Sequence, residues 1–193
     1  MNIAVAKGRT EDNFISQIKD RNIIKYSNFK ERDLKKDISN EYSLLLVKSN
    51  DVISLVAEGY AEIGVVGSDV IDEKQNNMIK EIYNFKDNKC YFAMCTLPST
   101  KLENIKVVAS KYPNIARYYL NSLGLKCEVK QMDGSLEIAP RIGYADAIID
   151  IVESGNTIKD NGLIVLVKFN YISTKIICRD ETADIRSFVR RLK

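Results

Sequence analysis

Histidine does not occur in these 193 residues, and neither does tryptophan. The first absence removes imidazole from every role it usually fills: serine-type triads, His-ligated metals and acid–base work near neutral pH. Any chemistry falls to carboxylates, amines, guanidinium groups or the substrates themselves. The four cysteines, Cys90, Cys95, Cys127 and Cys178, form no C-x-x-C pair, and each lies in or beside a strand-like run. Buried free thiols are the plain expectation, and a metal or redox site is the alternative. No apolar run approaches the roughly 20 residues that span a bilayer. No leader-like segment precedes the strand-like stretch that starts at residue 2, so the expected location is cytoplasmic. Low-complexity tracts and repeats of 20–50 residues are also missing. The net charge is +3, from 29 basic and 26 acidic residues, which is too mild and too evenly mixed to argue for nucleic acid.

What is present is a soluble balance of 45% apolar and 28% charged residues, enough for a sizeable core. Strand-like runs occur at 2–6, 42–47, 62–66, 79–84, 90–96, 105–109, 127–131, 146–152, 163–169 and 173–178. Helical patterns occur at 10–20, 51–58, 69–73, 113–123, 136–143, 157–161 and 182–192. Residues 21–41 read as mostly irregular, and 86–89 as a polar turn. Alternating strands and helices predict an α/β protein with mainly parallel sheets. The series breaks into two halves, which predicts two lobes with a ligand cleft between them. Lobe I is expected over 1–92 plus 171–193, and lobe II over 93–170.

In open parallel sheets, ligands sit beyond the C-terminal strand ends, against helix N-termini. Lys7-Gly8-Arg9 follows the first strand. Two cations at a helix start oppose its dipole unless an anion arrives; solvated surface charge is the alternative. Gly67-Ser68-Asp69 follows the strand at 62–66, with Ser68 as a candidate N-cap. Asp133-Gly134-Ser135-Leu136-Glu137 is another small-residue turn with the same two readings.

The octapeptide DIVESGNT, residues 150–157, says more. Asp150 lies inside the run Ala147-Ile148-Ile149-Asp150-Ile151-Val152, where a carboxylate is costly unless something bonds to it. An ionised carboxylate only accepts hydrogen bonds, and a diol donates them. Glu153 is a second acid, and the amides and hydroxyls of Ser154, Gly155, Asn156 and Thr157 can wrap a phosphate. The spacing fits a sugar phosphate, with the diol on the acids and the phosphate in the turn. The alternative is that Asp150 bonds only to local backbone while Ser154 or Asn156 caps the next helix.

The octapeptide resembles the ribose-5-phosphate loop of phosphoribosyltransferases, in which acids precede a small-residue phosphate turn. More narrowly, the chain resembles the ATP phosphoribosyltransferase family over four ordered blocks: IAVAKGRT (3–10), NDVISLVAEGYAEIGVVGSDVI (50–71), VVASKYPNIARYYL (107–120) and GSLEIAPRIGYADAIIDIVESGNTIKDNGL (134–163). Ala6, Thr10, Lys48, Ile53 and Ser110 depart from the family's pattern. A lysine at 48, where arginine is common, weakens bidentate anion binding there. Asp150 carries over more firmly than Glu153, because some members lack an acid at the latter position.

The resemblance implies a fold similar to type II periplasmic binding proteins, with the active site in the cleft between lobes. It implies transfer of a 5-phosphoribosyl group from phosphoribosyl pyrophosphate to N1 of ATP, the opening step of histidine biosynthesis. Asp150 and Glu153 would take the ribose hydroxyls, and Ser154–Thr157 the 5-phosphate. Lys7 and Arg9, with Gly8, Lys48, Gly67 and Ser68 as weaker candidates, would face pyrophosphate or the ATP phosphates. Mg2+ would ride on the substrate phosphates, with no metal site of the protein's own. The length resembles the family's short form, which works with a regulatory subunit resembling histidyl-tRNA synthetase. Two other readings stay open: a non-catalytic two-lobed module that binds small anions, and a phosphoribosyltransferase for another base.

Overall fold

The computed structural model describes residues 1–24, 33–85 and 89–193. Part of the irregular stretch expected at 21–41, and most of the polar turn expected at 86–89, lie outside the described residues. In chain order, β1 (Asn2–Ala6), α1 (Arg9–Asp20), β2 (Lys35–Asp37), β3 (Ser43–Val47), α2 (Ser49–Ala57), β4 (Ile63–Gly67), α3 (Ser68–Lys74) and β5 (Lys80–Asn84) come first. There follow β6 (Cys90–Thr96), a 3₁₀ turn (Leu102–Asn104), β7 (Val107–Ser110), α4 (Pro113–Ser122), β8 (Glu128–Gln131), α5 (Ile138–Arg141) and β9 (Ala147–Val152). The chain closes with α6 (Asn156–Asp160), β10 (Ile164–Ile172), β11 (Thr174–Cys178) and α7 (Ala183–Leu192). It divides into two compact units, Met1–Lys86 with Ser173–Lys193, and Asp87–Ile172. A boundary at 92/93 would cut through β6; instead the whole strand lies in the second unit, because it pairs with β9 and β10.

The first unit holds one sheet in the order β2-β3-β1-β4-β11-β5. Its parallel centre is β3-β1-β4, flanked by antiparallel β2, β11 and β5. Ile3 and Val5 face a core filled by Phe14 and Ile18 of α1 and Ile185 and Phe188 of α7. Ala4 and Ala6 face the other core, under Val52, Ile53 and Val56 of α2 and Val70 of α3. A strand covered on both faces reads as an unbroken apolar run, as this one does. Gly64 lets α2 approach β4 closely: a Cβ there would come within 2.7 Å of Val52 Cγ1 and 2.9 Å of Val56 Cγ2 and Ile177 Cγ1.

The second unit holds the order β10-β6-β9-β7-β8. Here β9-β7-β8 is parallel, while β6 and β10 run antiparallel. Ile115, Ala116, Tyr119 and Leu120 of α4 cover one face. Leu136, Ala139 of α5 and Ile158 of α6 cover the other, packing on Ala93, Cys95, Ala109, Ile148 and Val152. Each sheet is thus mixed, a parallel three-stranded centre with antiparallel additions, where alternation of strands and helices had predicted mainly parallel pairing. The difference comes from β5, β6, β10 and β11, which follow one another without an intervening helix or pair across distant parts of the chain. Cys90, Cys95 and Cys178 are buried and Cys127 half-buried, all as free thiols. Among the described residues, no helix is long and apolar enough to cross a membrane.

Candidate active site

Because β9, β7 and β8 are parallel neighbours, the segments that follow them collect at one end of the second unit's sheet. Asp150 lies two residues from both Ile148 and Val152, so strand alternation puts its side chain on their face. Pairing between β7 and β9 stops at Ser110 opposite Ile149. The next residues, Lys111 and Asp150, are neighbours at the point where the ladder opens.

The Oδ1 of Asp150 accepts the N–H of Ile151 at 2.8 Å. That is the local backbone bond foreseen as an alternative, but it occupies one oxygen; the other has no protein hydrogen bond among the described residues. Burial pushes the Asp150 carboxyl up to about 6, the Ile151 N–H works against that, the charge of Glu137 raises it further and that of Lys111 lowers it. At neutral pH the group is therefore mostly ionised, half-buried and able to accept from a ligand. The same charges act on Cys95, whose thiol burial first, then Asp150 and Glu137, push up to about 12. Sequence reasoning did not connect Lys111 or Glu137 to this place. Only the pairing of β7 with β9, and the packing of Leu136 and Ala139 beneath the sheet, bring them to Asp150.

Past Val152 the chain turns sharply. Gly155 adopts φ 76° and ψ 3° as the N-cap of α6 and offers no side chain to cap it. This is left-handed backbone that other residues enter only at a cost. The Ser154 hydroxyl accepts the Asn156 N–H at 3.3 Å, a small local turn rather than a helix cap. Glu153, Ser154, Asn156 and Thr157 are all exposed. Glu137, which precedes α5, is an acid whose charge acts on Asp150. Ser135, in the preceding turn, carries a left-handed φ of 52°, and the cap position of α5 belongs to Glu137.

The remaining predicted residues meet at the corresponding strand ends of the first unit. Lys7, Lys48 and Gly67 follow or end the neighbouring strands β1, β3 and β4, and the Lys7 N–H donates to the Val47 carbonyl at 2.9 Å. Lys7, Gly8, Arg9 and Lys48 are exposed. Glu11 and Asp12 in the first turn of α1 offset part of the unfavourable cation–dipole arrangement. Ser68 does not cap α3: it is the first helical residue, behind Gly67. Its Oγ accepts the Ser173 N–H at 3.3 Å, while its own N–H donates to the Ser173 carbonyl at 2.9 Å. Its hydroxyl therefore ties β4 to the start of β11. Among the described residues, no cluster of three or more Cys, Asp or Glu is placed to hold a metal.

The family model described as ATP phosphoribosyltransferase matches residues 48–193. A curated ATP phosphoribosyltransferase from Clostridium botulinum strain Okra is 42% identical over 182 residues, covering 91% of this chain and 85% of that protein. One from Clostridioides difficile strain 630 is 39% identical over 182 residues, covering 92% and 86%. Among solved structures, the ATP phosphoribosyl transferase (HisG:HisZ) complex from Thermotoga maritima aligns with a TM-score of 0.82 at 26% identity, covering 100% of this chain and 96% of that one. The Candida albicans CA3427 gene product, described as having the generic periplasmic binding protein fold, aligns with a TM-score of 0.65 at 13% identity, covering 100% and 69%. This last likeness is one of fold alone.

Proposed function

The chain belongs to the ATP phosphoribosyltransferase family, and from that premise we propose that it joins the 5-phosphoribosyl group of phosphoribosyl pyrophosphate to N1 of ATP and releases pyrophosphate, the first step of histidine biosynthesis. The observation that supports this at residue level is that a half-buried, ionised Asp150 is followed by the small-residue turn at 154–157, with left-handed Gly155 leading into α6. A ribose 5-phosphate presents the same order of groups, a diol and then a phosphate.

Adenine N1 carries a free lone pair at neutral pH, so the transfer needs no strong general base, which suits a chain without histidine. Its rate comes from positioning and electrostatics. The C1–oxygen bond to pyrophosphate breaks with its electron pair leaving on oxygen, and N1 forms the new bond to C1. Asp150, with Glu153 behind it, accepts from the ribose hydroxyls and lies close to the carbon that becomes positive. Ser154, Gly155, Asn156 and Thr157 hold the 5-phosphate. Lys7 and Arg9, with Gly8, Lys48, Gly67 and Ser68 beside them, take phosphates of ATP or pyrophosphate. A divalent cation, Mg2+ in this reading, enters with the substrate phosphates and neutralises part of their charge.

The chain works in the cytoplasm, with a histidyl-tRNA-synthetase-like regulatory subunit; support for such a partner is that the Thermotoga maritima relative is a HisG:HisZ complex. The test is incubation with ATP, Mg2+ and phosphoribosyl pyrophosphate, with and without that subunit, following the ultraviolet absorbance of N1-substituted adenine. Tight binding of the substrates without product in either mixture returns the protein to a small-anion-binding module. Product from another base but not from ATP changes the acceptor.

A further inference from the structure

The residue that follows β7 is a cation with no ion pair among the described residues. Lys111 is exposed, and its Nζ lies 5.8 Å from the centroid of the Tyr112 ring. It precedes Tyr112, the N-cap of α4.

The layout of the second unit orders what arrives. The turn after β9 leads into α6, which packs toward β10 and the β6 residues Ala93 and Cys95. Lys111 follows β7, on the other side of β9. Asp150 stands between them, one strand spacing, about 4.8 Å, from the β7 side. In phosphoribosyl pyrophosphate the 2- and 3-hydroxyls likewise lie between the 5-phosphate and the pyrophosphate on C1. With the diol on Asp150 and the 5-phosphate at the α6 turn, the C1 substituent projects toward β7. We propose that Lys111 is a catalytic residue of the second unit that binds the pyrophosphate and meets the charge developing on its departing oxygen. This assignment rests on the reaction proposed above and adds a leaving-group contact to it. The transfer itself is unchanged: the electron pair of the broken C1–oxygen bond stays on pyrophosphate beside the ammonium group, and no proton moves.

The experiment compares wild type with Lys111→Met and Lys111→Arg, using folded proteins matched by circular dichroism and, where turnover needs it, the regulatory subunit. Three quantities are read: kcat/KM for phosphoribosyl pyrophosphate, the dissociation constant of magnesium pyrophosphate, and that of ribose 5-phosphate, which has no pyrophosphate. Lys111→Met is expected to lower kcat/KM and weaken pyrophosphate by roughly tenfold or more, as for loss of a charge-assisted contact. Ribose 5-phosphate should bind within about twofold of wild type, and arginine should restore most of the loss. Unchanged pyrophosphate binding overturns the proposal. So does a parallel loss of ribose 5-phosphate, which would make Lys111 a support for Asp150 alone. Wild type that binds both ligands but makes no product defeats the proposed reaction and leaves the Lys111 comparison readable from binding; wild type that binds neither ligand overturns both.

Discussion

Asp150 accepts the N–H of the very next residue, Ile151, at 2.8 Å, and so keeps one carboxylate oxygen engaged at the open end of the β7–β9 ladder. A ligand hydroxyl meets an acceptor that is already fixed in direction. Asp150→Ala should therefore lower kcat/KM for phosphoribosyl pyrophosphate about tenfold or more, since hydrogen bonds to charged groups are worth roughly 1.5–3 kcal/mol. Steady-state kinetics at pH 8 decide it, and unchanged constants would remove Asp150 from the site.

The same carboxyl makes the rate depend on pH. It holds its proton up to about 6, so kcat/KM for phosphoribosyl pyrophosphate should fall as pH drops through that value. Asp150→Asn should flatten this limb at a low rate. A wild-type profile level between about pH 5 and 7 would contradict the assignment.

Stability should move in the opposite sense. Burial raises Asp150 from 3.8 to about 6, so between those values the native protein binds more protons than the unfolded chain. Stability attributable to this group then falls as pH rises across that window, by roughly 3 kcal/mol once it is complete. Asp150→Asn escapes the loss. Urea denaturation should find it more stable than wild type at pH 7.5, with the advantage shrinking toward zero near pH 4. An advantage equal at both pH values would count against a buried, ionising Asp150.

Gly155→Ala tests backbone rather than space. An added Cβ would lie 3.8 Å from Val152 Cγ1, an ordinary contact, but φ is 76°. Forcing a β-carbon into left-handed backbone costs about 1–2 kcal/mol. Ribose 5-phosphate affinity should drop several-fold, with Gly155→Asn milder than alanine, by isothermal calorimetry. Equal binding by all three proteins would mean that the turn's shape does not matter to the ligand.

At Gly64 the problem is space. The approach to Val52 at 2.7 Å, and to Val56 and Ile177 at 2.9 Å, predicts that Gly64→Ala costs about 1–3 kcal/mol by overpacking. Adding Val52→Ala should recover part of that loss, a non-additivity that a double-mutant cycle in urea measures directly.

How much of this was legible without coordinates depended on whether a residue's neighbours were local. The apolar run 147–152 with one acid inside it, and the small-residue turn behind it, could be read from adjacent positions alone, and β1 and β6 were bounded at the residues the structure gives. The three-residue strand β2 was not: Lys35-Lys36-Asp37 has no apolar alternation, and it is a strand only because β3 offers it an edge. The helix expected at 136–143 shrinks to Ile138–Arg141. Lys111 and Glu137 stayed hidden because they reach Asp150 from other strands' loops, through pairing that periodicity does not encode. Ser68 looked like a cap by residue type, and its partner turned out to lie 105 positions away.

The interruption of the first unit has a bearing on how the polypeptide is made. Strand β11 lies inside that sheet, bonded to β4 on one side and β5 on the other, and Phe188 of α7 belongs to the same core as Phe14. Residues 173–193 must therefore leave the ribosome before the N-terminal half can close, whereas 87–172 form an unbroken stretch that has everything its own sheet requires. Vectorial synthesis thus favours maturation from the middle outward, with the earliest-made segment waiting longest for its missing strand.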